Sequence, residues 1–262
     1  MAEFFFWPAL VGYGEAVLAY AGEARRLGQA GRLATWGVRL GWLAQTGLLA
    51  VQATRADGFS WDTWAGSLNL FVWLVVGAYL FWGCRARFRL LGLVVMPLAA
   101  SLLVLARVGG GTDAGGRRDY STVFLVLHVG LVLVAFAGFT LAAGLASLYL
   151  WQERRLKLHR ATAILGRTPS LVTLDRLAAR TVTLAVPALT VGIAAGLVRL
   201  GRHGGSFDAL MGVTLVTWLV YVVFVVLRYE AGWRGRRAAY LALIGFALVI
   251  SARVGLQLTH FA

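Results

Sequence analysis

The chain has 262 residues, 60% of them hydrophobic and 14% charged, with a mean hydropathy of +0.75; a soluble domain is roughly 45–50% apolar and about 25% charged. An excess of this size excludes a single water-soluble core and calls for helices whose outer surfaces lipid solvates. The net charge of +14 does not indicate a nucleic-acid binder, because the basic residues sit in short loops between apolar runs, and the single cysteine, Cys84, excludes an internal disulfide, a CxxC redox site or a cysteine zinc cluster.

Eight apolar runs approach the roughly 20 residues that a span needs. They cover about 4–22, 34–54, 65–84, 88–107, 122–151, 179–199, 209–228 and 238–258. The first lacks a basic leader region and an A-x-A site, so it reads as a retained helix. The third and fourth are separated only by Arg85-Ala86-Arg87-Phe88-Arg89 and form a tight hairpin. The Gly-rich stretch 109–121 reads as a connector, since no strand–loop–helix context accompanies it. After Thr168-Pro169-Ser170, the residues Leu171, Leu174, Leu177 and Ala178 recur at helical spacing, which predicts a short amphipathic helix on the inner membrane surface. No linker divides the chain, so 1–262 reads as one transmembrane domain.

Lys and Arg orient it. With the N-terminus outside, only Arg55, Arg107, Arg117, Arg118, Arg199, Arg202 and Arg253 lie outside, 7 of 25, against 18 inside. The expected fold is therefore an all-α polytopic bundle of about eight transmembrane helices with both termini outside.

Four histidines are present. His159 falls in the inner basic loop, whereas His128, His203 and His260 fall outside. The run 122–151 has 30 residues, about 45 Å of helix, against a hydrocarbon core of about 30 Å. Counting back from Trp151 puts His128 one turn beyond the core, and His260 follows the last run at the same rim. Two imidazoles at one depth suit axial ligation of one haem iron; isolated interfacial histidines are the alternative. Trp61 and Trp64 offer flat faces to a porphyrin or belong to an ordinary aromatic belt. Arg117, Arg118, Arg199 and Arg202 are either propionate partners or solvated loop charges. Glu15, Gln45, Asn69 and Gln257 are the few intramembrane polar residues. Glu15 invites pairing with Arg39, and Gln45 suits interhelical hydrogen bonding.

Several segments resemble the membrane proteins of cytochrome c assembly, of the CcsA, CcmC and HemX type. They are Gly58-Phe59 with Ser67-Leu68-Asn69-Leu70-Phe71-Val72-Trp73, then Leu127-His128-Val129, and Pro169 to Leu177. Later come Thr217-Trp218-Leu219-Val220-Tyr221, Gly232-Trp233-Arg234-Gly235-Arg236-Arg237, Gly245-Phe246 and Thr259-His260-Phe261. The likeness runs from about residue 40 to the end. It implies haem held at the outer face by His128 and His260 as iron ligands. The family's Trp-rich segment is here Gly204-Gly205-Ser206-Phe207-Asp208, with Phe207 where a Trp stands and Asp208 retained. Gln45 and Val226 stand where some members carry intramembrane histidines.

The resemblance also implies haem handling during c-type cytochrome maturation, by a component of a synthase system rather than a stand-alone enzyme. It implies a multi-pass place in the bacterial plasma membrane. Haem is the implied cofactor. The implied partners are apocytochrome c, a second membrane assembly subunit and a thiol-reducing protein. A HemX-like regulator of tetrapyrrole synthesis acting through the inner loop, a transporter of another amphipathic anion, and a structural subunit remain open.

Overall fold

A computed structural model describes residues 2–25, 30–54, 63–83, 88–112, 124–158, 169–203 and 207–251. Among these residues the chain is helical and contains no strand. In order come α1 (Ala2–Arg25), α2 (Ala30–Thr54), α3 (Trp64–Gly83) and α4 (Arg89–Val108). A π-helical turn, Leu125–Gly130, then leads into α5 (Leu131–Lys157), followed by α6 (Leu171–His203), α7 (Ala209–Tyr229) and α8 (Arg236–Ile250).

Among the described residues, six stretches are long and apolar enough to cross a membrane: Phe4–Gly22, Trp64–Phe81, Leu90–Val108, Leu127–Lys157, Leu171–Arg202 and Ala209–Tyr229. The expectation of about eight spans is met in part. Helix α2 misses because Arg32, Arg39, Gln45 and Gln52 lower its mean hydropathy. Helix α8 is described over 15 residues, about 22 Å, short of a core about 30 Å thick.

The chain separates into two compact units, Met1–Asp119 with Ala161–Pro169, and Tyr120–Arg160 with Ser170–Ala262. In the first, α1 and α2 approach at backbone distance. A Cβ on Gly12 would lie 2.6 Å from the Gly37 carbonyl oxygen, and one on Gly37 would lie 2.9 Å from that of Gly12. Small residues at a crossing let membrane helices gain dispersion contact without a hydrophobic driving force.

Beside this crossing runs a buried polar chain. The Tyr13 hydroxyl donates to Gln45 Oε1 at 2.6 Å, and Gln45 Nε2 donates to Asn69 Oδ1 at 2.9 Å and to the Asn69 carbonyl at 3.1 Å. Asn69 Nδ2 reaches Gln52 Oε1 and the Gly111 carbonyl, both at 3.4 Å. Gln45 and Asn69 are fully buried. Glu15 does not pair with Arg39 among the described ion pairs. Gly37 faces Glu15, whose Oε2 lies 3.2 Å from the Cβ position there. Arg39, about 200° further round the helix, lies over Trp36 at 5.3 Å.

In the second unit α5 and α6 run antiparallel along a small-residue seam. Gly138 meets Ala185, Gly192 meets Val132 and Gly196 meets His128, so contacts that move back toward His128 on one helix move forward on the other. The expected short amphipathic helix at 169–178 is the first part of α6 instead. Ser170 caps it, accepting from the Thr173 N–H at 3.3 Å, with Pro169 just outside. Leu174, Ala178, Val182, Ala185 and Leu189 are all buried, at steps of three or four. The stripe runs on past Pro187, which lies inside the helix, so one seam holds one helix of 33 residues. Tyr221 of α7 stacks on Phe139 of α5, centroids 3.6 Å apart, and donates to the Ala242 carbonyl of α8 at 3.1 Å.

Candidate functional site

The start of α5, the end of α6 and the start of α7 share one end of the second unit, because the helices alternate in direction and short connections join them. His128 lies there, in the π-helical turn. Such turns are rare and recur at functional sites. Its ring is half-buried. Nδ1 lies 2.8 Å from the Gly192 carbonyl oxygen. A carbonyl only accepts, so Nδ1 carries the proton, and a neutral imidazole then keeps its lone pair on Nε2. Among the described residues Nε2 has no hydrogen-bond partner.

Two further groups fix the ring. Phe124 stacks on it with centroids 5.1 Å apart and planes at 19°. The Arg199 guanidinium carbon lies 4.7 Å from the Phe124 centroid, a cation–π contact that continues the α5–α6 seam outward. An oriented neutral imidazole whose far nitrogen donates to a backbone carbonyl is the usual form of a metal-binding histidine. An imidazole nitrogen so held is a type of donor that a haem iron takes.

The other expected residues are placed differently. Arg202 is exposed on the last turn of α6, and Phe207 is 59% exposed just before α7. Asp208 caps α7, its Oδ1 accepting from the Met211 N–H at 2.7 Å. Trp64 belongs to the first unit, where its ring covers Gly109. His260, Trp61, Arg117, Arg118 and His159 lie outside the described residues, and His203 closes α6. Gln45 has both ends of its amide engaged in the first unit. Val226 is 50% exposed and carries no donor. Sequence reasoning missed Phe124, Gly192 and Gly196. The available signal was Gly192-x-x-x-Gly196, one turn apart in an apolar run, but such glycines are common in membrane helices.

At the opposite end of this unit Asp175 and Arg228 form a two-pronged ion pair, at 2.6 and 2.9 Å, with both side chains nearly buried. Asp175 also accepts from the Gly235 N–H at 2.8 Å, and Arg228 donates to the Trp233 carbonyl at 3.1 Å. Nine of the basic residues in the unit's described part cluster toward this end: Arg154, Arg155, Lys157, Arg176, Arg180, Arg228, Arg234, Arg236 and Arg237. Arg199 and Arg202 stand at the His128 end.

Comparison with known proteins identifies the family. Residues 61–260 match the family described as "Cytochrome C assembly protein". The chain is similar to cytochrome c biogenesis protein CcsA of Gloeothece citriformis, 25% identical over 86% of this chain and 84% of that protein. It is also similar to CcsA of Gloeobacter violaceus, at 24% over 90% and 87%. CcsA of Guillardia theta is 27% identical over 73% and 71%. No solved structure matches the chain. With three quarters of its length matched, and with its apolar helices, the chain belongs to the cytochrome c assembly protein family.

Proposed function

We propose that this chain binds haem at the outer face of the bacterial plasma membrane during the maturation of c-type cytochromes, with His128 as one iron ligand and His260 as the second. The observation that carries the reading is the hydrogen bond from His128 Nδ1 to the Gly192 carbonyl at 2.8 Å, which leaves Nε2 as the donor nitrogen. Arg202 and Phe207, exposed at the same end, would meet a propionate and a porphyrin edge. Asp208 would hold Phe207 in place through the α7 cap. The family and the CcsA relatives support the cytochrome role. Haem, when bound, supplies the macrocycle that becomes attached to the apocytochrome. This chain's part is to orient and present it. With Cys84 as its single thiol, the chain has no reducing pair, so a thiol-reducing protein and a second membrane subunit complete the system.

The test is the visible spectrum of the detergent-purified chain. His128→Ala and His260→Ala are each expected to lose the low-spin two-histidine spectrum, and added imidazole to restore part of it, because alanine leaves a space open to water. An unchanged spectrum in both variants would overturn the ligand assignment.

A further inference from the structure

We propose that Gly196 is the positioning residue for His128: its bare α-carbon is the seat on which the imidazole lies, and this seat decides which ring nitrogen is offered. A Cβ at Gly196 would fall 2.6 Å from Cε1, 2.9 Å from Nδ1 and 3.5 Å from Nε2 of His128. Three of the five ring atoms crowd onto that one point, so any side chain there moves the ring. The displaced ring would leave the Gly192 carbonyl, one turn back on the same helix, and with it the bond that holds the proton on Nδ1. Phe124, stacked on the ring and covered by Arg199, closes off one direction of retreat.

Gly201 on the same helix isolates the effect. A Cβ on Gly192 would press on the facing helix, 2.8 Å from Val132 Cγ2, 3.3 Å from Val132 N and 3.4 Å from the His128 backbone oxygen. A Cβ on Gly201 would meet nothing within 4 Å. A side chain at Gly192 would therefore shift the carbonyl that His128 Nδ1 bonds, whereas Gly201→Ala disturbs neither the seam nor the ring. The consequence for haem rests on His128 being a ligand; the seat itself does not.

The experiment reads the two separately. Nitrogen NMR of the haem-free full-length chain with labelled histidine reports the His128 tautomer, its signals identified by their loss in His128→Ala. The wild type and Gly201→Ala are expected to show a protonated Nδ1 and a bare Nε2, and Gly196→Ala to lose that pattern. Haem retention should fall about 10- to 100-fold in Gly196→Ala, the usual cost of removing a support of a metal ligand. Thermal melting gives a measure that survives poor folding: Gly196→Ala should lower the melting temperature in the wild-type background and much less in the His128→Ala background, where the ring is gone. An unaltered His128 nitrogen pattern in Gly196→Ala, or an equal loss of melting temperature in both backgrounds, overturns the seat. A wild-type haem spectrum in His128→Ala, with the Gly196 effects as expected, supports the seat and overturns the ligand reading instead.

Discussion

Gln45 spends both ends of its amide inside the first unit, accepting from Tyr13 and donating to Asn69. It stands where some relatives are expected to carry an intramembrane histidine, yet both polar atoms of its amide are engaged by neighbouring side chains. Its full burial makes it costly to disturb, because no water replaces a lost partner. Gln45→Ala strands the Tyr13 hydroxyl and part of the Asn69 amide. The expected loss is about 1–3 kcal/mol, the cost of leaving buried polar groups unsatisfied. A thermal melt in detergent should show the drop while haem absorbance per folded protein stays unchanged; loss of haem without loss of stability would give Gln45 a direct role. His128 is the opposite case, a polar side chain with one nitrogen engaged and the other offered.

Helices α6, α7 and α8 are joined at one end by a single cluster. Asp175 in the first turns of α6 holds Arg228 near the end of α7 and the Gly235 N–H at the start of α8. Arg228 also caps the connection through the Trp233 carbonyl. With side-chain exposures of 12% and 13%, each charge depends on the other for most of its solvation. Removing one leaves a nearly buried charge unpaired, and the cost is about 3 kcal/mol. Asp175→Ala and Arg228→Ala should each lower the melting temperature markedly. The double variant should be less damaging than the sum of the two, because no orphan charge remains. Additive losses would show that the pair does not act as a unit. The α5–α6 seam works differently, through glycine and alanine contacts, and carries no charge until it reaches Arg199.

Across the membrane, the second unit is electrically lopsided. Its described basic residues gather at the Asp175 end, with Arg199 and Arg202 alone at the His128 end. Positive loops are retained on the cytoplasmic side, so the His128 end is expected to face outward. Reporter fusions after Arg160 and Arg236 should read cytoplasmic, and one after Gly204 external. A cytoplasmic reading at Gly204 would invert the chain and remove an outward-facing haem site. The same asymmetry keeps the family reading and the charge reading independent, since one rests on the match over residues 61–260 and the other on loop composition alone.

Fold class and family were legible in the chain because they depend on quantities that add along it. Runs of apolar residues must become helices in lipid, and basic loops sort by side whatever the helices touch. The position of His128 at a helix end followed from length alone. Helix boundaries were less legible. The separation of 169–178 from the following span failed because Leu174, Ala178 and Val182 bury along one continuous seam, which is visible only once α5 lies against it. The polar residues needed the tertiary structure most. Gln45, Asn69 and Gln52 become one network, Glu15 and Arg39 stay apart, and Asp208 turns out to cap a helix. The tautomer of His128 and the role of Gly196 are set by the register of two helices more than sixty residues apart in sequence, and hydrogen bonds between helices depend on that register, which apolar patterning leaves free.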